Sequence, residues 1–354
     1  MKIHNYSAGP CILPQEVFEE ASQSVLNFNN SGLSILEMSH RSKEFVAVMD
    51  EAIALVKEVL NIPENYDVVF LQGGASLGFS IAAFNYLNTH ASYINTGTWS
   101  TKAIKEAKRL GDVDVVASSE SQNFNFIPKE YEVNNNTDYL HFTSNNTIFG
   151  TQFKSFPKTS APLICDMSSD IFSRKVNIED FSMIYAGAQK NLGPAGATLY
   201  IVKKGSLGKT NNNIPVMLDL APQIEKESMY NTPPVFSIYV SMLTLRWLKK
   251  NGGISWIEKR NQEKANLIYS EIDRNSLFTG SAAIEDRSNM NACFLLTNEA
   301  LKEDFDKMWN DAKISGIKGH RSVGGYRASM YNALPTSSVQ VLVDVMKELE
   351  RTKG

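Results

Sequence analysis

Apolar positions recur at helical spacing in the first part of the chain. From Pro14 to Asn29, Val17, Ala21, Val25 and Phe28 share one helical face, and after Ser42 a second stripe carries Phe45, Met49, Ala52, Val56 and Leu60. The pattern then changes to short apolar runs broken by glycine and polar turns. DVVFL (67–71) reads as a strand that enters GGAS and an apolar helix from about Ser76 to Tyr86. ASYINTG predicts another strand and Trp99 to Arg109 another helix; DVDVVAS, DYLHFT, APLICDM, SMIYAG and ATLYIV come next as strand-like runs. Such alternation predicts an α/β fold, a large domain with a mostly parallel sheet flanked by helices.

After the proline-marked break NTPPVFS, long helices are predicted from about Phe236 to Lys250 and from about Ser255 to Asp273. Asn251-Gly252-Gly253 separates them, as glycine does where a helix stops. A strand-like NACFLLT, an acidic helix from about Asn298, the glycine-rich GHRSVGGYRAS and a last helix over 336–350 make a smaller α+β pattern. At about 150 residues per domain, 354 residues predict roughly two domains.

Composition narrows the class. The chain is 43% hydrophobic and 21% charged, enough for a large core and unlike a disordered chain. Its net charge of −3 argues against a nucleic-acid partner, which selects a basic surface. No apolar run approaches the ~20 residues of a membrane span, and MKIHNYSAGP lacks the apolar stretch of a signal peptide. A soluble, cytoplasmic protein is expected. Cys11, Cys165 and Cys293 are too few and too scattered for a disulfide framework and read as small buried hydrophobes. His4, His40, His90, His141 and His320 form no HExxH or close Cys/His cluster, so no metal site is expected. Gly208-Lys209-Thr210 imitates the end of a phosphate-binding P-loop, but Lys203 stands where that loop needs glycine.

Four features carry candidate chemistry. In GAQKNLGPAG (187–196), Lys190 comes after an apolar strand and precedes a Gly/Pro-rich turn. Most loop lysines are solvated charges, but one beside a buried strand can shift toward the neutral amine of Schiff-base chemistry. Asp166 ends the strand-like LICD, and ligands of open α/β sheets gather at such ends. It could simply cap the next turn; alternatively it could pair with a buried cation such as the protonated ring nitrogen of pyridoxal phosphate. GGAS (73–76), between strand and helix, suits an anion at a helix N-terminus, although a plain turn explains it equally well. Trp99 opens the next helix, where an indole can be core or can stack on a planar ligand. Finally, His40-Arg41, His320-Arg321 and the glycine-framed Arg327 suggest a substrate with two anionic ends, since arginine binds carboxylate and phosphate through paired hydrogen bonds.

Taken in order, NYSAGP, SHRSKEF, LQGGAS, GTWSTKAIKEA, DMSSDIFSR, GAQKNLGPAG, YNTPPVFSIY, GHRSVGGYRAS and YNALP resemble the phosphoserine aminotransferases, a family in the class V group of fold-type I pyridoxal-phosphate enzymes. The resemblance runs nearly end to end. It implies that Lys190 carries pyridoxal 5'-phosphate as a Schiff base and moves the proton at the reacting carbon. Asp166 would pair with the pyridinium nitrogen, Trp99 would stack on the ring, Ala75 and Ser76 would hold the cofactor phosphate with Gln189 nearby, and Thr147 would contact the ring oxygen or the phosphate. Asn231 and Thr232 would reach the phosphate in the partner subunit of a homodimer with shared active sites. Arg327 would hold the α-carboxylate, and His40 and Arg41, with the other subunit's copies of His320 and Arg321, the far anion; Ser7 matches a substrate-site serine.

The implied domains are an N-terminal arm at 1–15 associated with the small domain, a large cofactor-binding domain at 16–254 and a small C-terminal domain at 255–354. The implied reaction converts L-glutamate and 3-phosphohydroxypyruvate to 2-oxoglutarate and O-phospho-L-serine. Alternatives are another class V aminotransferase of the alanine or serine–glyoxylate type, which the paired His-Arg motifs disfavour, and a catalytically silent cofactor-binding protein. Some family members read GGGR where this chain has GGAS. Ser76 therefore removes a charge whose hydrogen bond is worth ~1.5–3 kcal/mol unless something compensates.

Overall fold

The computed structural model describes residues 3–354; Met1 and Lys2, the first part of the expected arm, lie outside the described residues. Within the first half run β1 (His4–Asn5), α1 (Gln15–Leu26), α2 (Lys43–Leu60), β2 (Tyr66–Gln72), α3 (Ala75–Tyr86), β3 (His90–Asn95), α4 (Thr98–Ala107), β4 (Asp112–Ser118), β5 (Leu140–Thr143) and β6 (Leu163–Asp166). The second half contains β7 (Met183–Gly187), β8 (Ala197–Lys203), α5 (Leu220–Glu225), α6 (Val235–Lys250), α7 (Gly253–Arg274), β9 (Phe278–Gly280), β10 (Asn291–Leu296), α8 (Lys302–Asp311), β11 (Ile314–Ser315), β12 (Tyr326–Ser329) and α9 (Thr336–Lys353).

Seven strands form one sheet in the order β2-β8-β7-β6-β5-β3-β4. Only β8 runs against the others, pairing antiparallel with both β2 and β7. Side chains alternate across the sheet as the twofold strand period requires. Leu163 and Cys165 of β6 enter a core with α1, α2 and α6, while Ile164 joins the opposite core with α3 and α4. The three-stranded antiparallel sheet β9-β10-β12 packs with α7, α8 and α9 around its own core of Phe294, Phe305, Leu342 and their neighbours.

The first helix is shorter than its apolar stripe predicted. It stops at Leu26, where Asn27 turns extended with φ of −162°, and Asn29 and Asn30 then enter the left-handed region with φ of 46° and 57°, which asparagine tolerates. The acidic helix near Asn298 likewise opens with a 3-10 turn, Glu299–Leu301, before α8. At Ser42 the expected start holds: its hydroxyl accepts the Phe45 N–H at 3.3 Å.

The N-terminal arm is fastened to the smaller sheet's side of the molecule. β1 pairs parallel with β11, and the Tyr6 hydroxyl donates to the Ser338 carbonyl at 2.6 Å. The Tyr331 hydroxyl donates to the Ala8 carbonyl at 2.8 Å. Lys264 of α7 is fully buried and donates to the carbonyls of Met330 and Tyr331 at 2.9 and 2.8 Å.

Between the large sheet and α3 lies a layer of buried polar rings. His141 stacks on Tyr93 with centroids 4.8 Å apart, and its Nε2 hydrogen-bonds the Tyr185 hydroxyl at 2.8 Å. Burial pushes its pKa down to about 3, whereas in the unfolded chain a histidine titrates near ~6.5. The unfolded state thus takes up a proton that the folded state refuses. His141 contributes stability that is present above pH ~6.5 and lost as pH falls toward 3. In His141→Gln the acid limb should flatten by up to ~1.4 kcal/mol per pH unit between pH 6 and 5. Urea unfolding at pH 7, 6 and 5 checks this; parallel curves for the two proteins would contradict it.

Candidate active site

The carboxyl ends of β6 and β7 place the two central groups. Asp166 closes β6, buried at 4% exposure. Its Oδ1 accepts both the Ser168 N–H at 2.9 Å and the Ser168 hydroxyl at 2.5 Å. Ser168 Oγ in turn accepts the Gly187 N–H at 3.1 Å, so one serine joins the ends of adjacent strands. Asp166 Oδ2 has no hydrogen-bond partner among the described residues. Burial raises the Asp166 pKa, against the opposing pull of the Lys190 charge and the bonds from Ser168.

Lys190 stands in the turn between β7 and β8. Burial lowers its pKa, and the negative charges of Asp166 and Asp170 oppose that shift. Its backbone is held at both ends: its N–H donates to the Ala188 carbonyl at 2.7 Å, and its carbonyl accepts the Cys11 thiol at 2.6 Å. Cys165 and Cys293 are the buried hydrophobes expected, but Cys11 is partly exposed and acts as a donor. Burial pushes its pKa up to about 12, which keeps the thiol protonated. Close by, a Cβ on Gly9 would meet the Lys190 Cγ at 3.4 Å, so the arm crosses directly against the lysine.

Trp99, in the first turn of α4, presents its ring centroid 6.0 Å from Lys190 Nζ. Its indole N–H donates to Thr147 Oγ1 at 3.0 Å. The Thr147 carbonyl accepts Arg327 Nη1 at 3.2 Å. Thr147 therefore ties the aromatic plate to an arginine arriving on β12. Arg327 Nε is buried without a partner.

Ala75 begins α3, where the opening amides of a helix favour an anion. Gly73, with φ of +110°, makes the turn before it. A Cβ on Gly187 would stand 2.7 Å from Gln189 Oε1 and 3.4 Å from the Ala75 nitrogen, so these three residues adjoin. Gln189 Oε1 is buried and unpartnered. Ser76, next along α3, is exposed. A lysine, a carboxylate oxygen left free, a buried amide oxygen without a partner and an open helix start together accommodate a phosphorylated pyridine aldehyde.

The remaining candidates lie farther from this centre or on its rim. His320 accompanies Arg321 in the loop before β12; burial and the charges of Arg327, Arg321 and Lys102 lower its pKa. Ser7 abuts Gly316, where a Cβ would lie 2.5 Å from its hydroxyl. His40 and Arg41 precede α2. The His40 Nε2 is buried without a partner, and exposed Arg41 uses its backbone N–H on Ser39 Oγ at 3.2 Å. Asn231 and Thr232 precede α6, and the Thr232 carbonyl accepts from Gln72 at the end of β2. No contact joins these four to Lys190 or Asp166 within the described residues.

Sequence reasoning missed Ser168 and the support behind it. The Asp166 carbonyl accepts the Ser144 N–H at 3.0 Å. Ser144 also hydrogen-bonds Asp170, which pairs with Arg174 at 2.9 Å. The available signal was the spacing in DMSSD, a serine two residues after an aspartate, which favours a local side-chain turn.

Comparison with known proteins places the chain in a family. The family model described as aminotransferase class-V matches residues 3–342, and the fold and site define a member of that class. A phosphoserine aminotransferase of Flavobacterium psychrophilum is 64% identical over 353 residues, covering 99% of each chain. The solved phosphoserine aminotransferase of Bacillus circulans subsp. alkalophilus superposes with a TM-score of 0.97 at 44% identity, covering 100% of this chain and 99% of that one. The PLP-bound phosphoserine aminotransferase of Trichomonas vaginalis gives 0.93 at 36% identity, covering 98% of this chain and 100% of that one. The chain belongs to the phosphoserine aminotransferase family, whose class is pyridoxal-phosphate-dependent.

Ser168 can be tested through that cofactor. Ser168→Ala leaves burial of Asp166 less opposed, so its pKa moves further up. A carboxylate pairs with a pyridinium only when ionised, so the cofactor should be held about tenfold more weakly, and the deficit should grow as pH falls from 8 to 6. Absorbance titration of the apoprotein with pyridoxal phosphate at both pH values measures it. Unchanged affinity at pH 6 would remove Ser168 from this role.

Proposed function

We infer that the chain transfers the amino group of L-glutamate to 3-phosphohydroxypyruvate, giving 2-oxoglutarate and O-phospho-L-serine. The observation that carries this reading is the meeting of a lowered-pKa lysine and a buried carboxylate, beside an arginine on β12 that has no carboxylate partner among the described residues. Full-length relatives named for this activity support it. No helix among the described residues is long and apolar enough to cross a membrane. We place the reaction in the cytoplasm.

Bound pyridoxal phosphate supplies a carbonyl that accepts the amino group and a ring that withdraws electrons. Lys190 is assigned to hold the cofactor and, as a neutral amine favoured by burial, to take and return the proton at the substrate Cα. Asp166 keeps the proton on the ring nitrogen through its free oxygen. Trp99 covers the ring and excludes water from one side, and Thr147 fixes the plane of the indole. Ala75, Ser76 and Gln189 are assigned to the cofactor phosphate. Arg327 takes the α-carboxylate, with Ser7 nearby, while His40, Arg41, His320 and Arg321 take the far carboxylate or phosphate. In this reading residues 16–254 carry the cofactor, and 255–354 with the arm complete the substrate side.

We further propose a homodimer with shared sites, in which Asn231, Thr232, His320 and Arg321 serve the neighbouring subunit. The exposed positions of Thr232 and Arg321 leave them available to a second chain.

Lys190→Ala should abolish borohydride-reducible cofactor attachment and nearly all turnover while the fold persists; an adduct on a different lysine of the wild type would refute the assignment. For assembly, mixing inactive Lys190→Ala with inactive Arg321→Ala should restore activity as subunits exchange. No recovery in a mixture shown to exchange would place both residues in one chain's site.

A further inference from the structure

The charges at the rim of the site are not all accounted for by the arginines and histidines named above. Lys102 lies one helical turn after Trp99 on α4, and residues three apart share a helix face. Its Nζ stands 4.7 Å from the centroid of the Trp99 ring. That contact lays the exposed Lys102 side chain on an indole whose ring centroid is 6.0 Å from Lys190 Nζ. Lys105, one turn further on, makes no such contact among the described residues. No carboxylate lies within ion-pair distance of Lys102, Arg321 or Arg327 among the described residues.

A continuous set of contacts leads from Lys102 across the site. Trp99 carries Lys102 on its ring, Trp99 donates to Thr147, and Thr147 accepts Arg327. The first turn of α3 contributes no charged side chain to the neighbouring wall. Lys102 and Arg327 thus reach the same Trp99–Thr147 pair with no carboxylate partner among the described residues, and cations placed in this way draw an anion toward them.

We propose that Lys102 is a specificity residue that binds the far anion of the substrate, the phosphate of the acceptor or the distal carboxylate of glutamate. Arg327 then holds the shared α-carboxylate end, and Lys102 contributes an adaptable point charge that a phosphate and a carboxylate can both use. This inference rests on the transamination reading given above.

Steady-state kinetics of the holoenzyme with glutamate tests it, using 3-phosphohydroxypyruvate or hydroxypyruvate as acceptor. Lys102→Gln should raise KM for the phosphorylated acceptor roughly tenfold, the loss of one charge-assisted hydrogen bond, with kcat within about twofold. The preference for that acceptor over hydroxypyruvate should fall by the same factor. Lys102→Arg should recover most of it, and Lys105→Gln should behave as wild type. Calorimetry with inorganic phosphate provides a readout without turnover, and Lys102→Gln should bind it about tenfold more weakly. Equal losses for both acceptors, with unchanged phosphate binding, would overturn the proposal and leave Lys102 as a support for Trp99. A wild type that used both acceptors equally would refute the phosphate-bearing substrate instead, and the calorimetry would still decide the role of Lys102.

Discussion

An amine and a carboxylate buried near one another have to be kept reactive without being allowed to neutralise each other. Asp166 and Lys190 meet that constraint through their surroundings. Burial pushes both toward their neutral forms, and each charge pulls the other back. Ser168 settles the balance on the acid side by giving Oδ1 two donors, which leaves only Oδ2 for a ligand. The same serine hydroxyl accepts the Gly187 N–H, so the local electrostatics and the spacing of β6 and β7 are set by one group. Behind it, Ser144, Asp170 and Arg174 fix the backbone from which Asp166 projects.

The rest of the chain is arranged to bring distant residues to those two strand ends. The arm is held by β11, which pairs with β1 in a two-stranded sheet of their own, and by α9 through Tyr6, then returns across Gly9 to place Cys11 on the Lys190 carbonyl. Asn191, directly after the lysine, accepts the Asn332 N–H at 3.0 Å, and Asn332 is held in turn by Asn261 at 2.9 Å. Both faces of the cleft are therefore joined beside the lysine by neutral amides whose N–H groups find acceptors, with Asn261 Oδ1 left buried and unpartnered.

Much of this was legible in the residues themselves. Strands such as LICD and SMIYAG are apolar runs with one polar or glycine terminus, and that terminus is where Asp166 and Gly187 stand. Ser42 announced its helix because a cap is a local interaction. Less local features did not show. The direction of β8 comes from a turn between Gly187 and Ala197 too short for a crossover helix, a matter of chain reach and not of apolar pattern. Helix lysines are mostly solvated, yet Lys264 of α7 is buried, because the carbonyls of Met330 and Tyr331 reach it from a loop far along the chain. The donor role of Cys11 depends on the arm's path over Lys190, which no spacing of residues encodes.

The reversed strand has a consequence for motion. Because β8 returns antiparallel to β7, the peptide carrying Lys190 is a hairpin tip with a ladder on both flanks, Gly187 facing Thr198 and Ala188 bonded back to Ala197 at 3.0 Å. A crossover loop would let the backbone drift with the helix beyond it; here the main chain is anchored before and after the lysine. What remains free is the tether of methylene groups between Cα and the nitrogen. The moving part of this machine is one side chain, swinging from a fixed pivot.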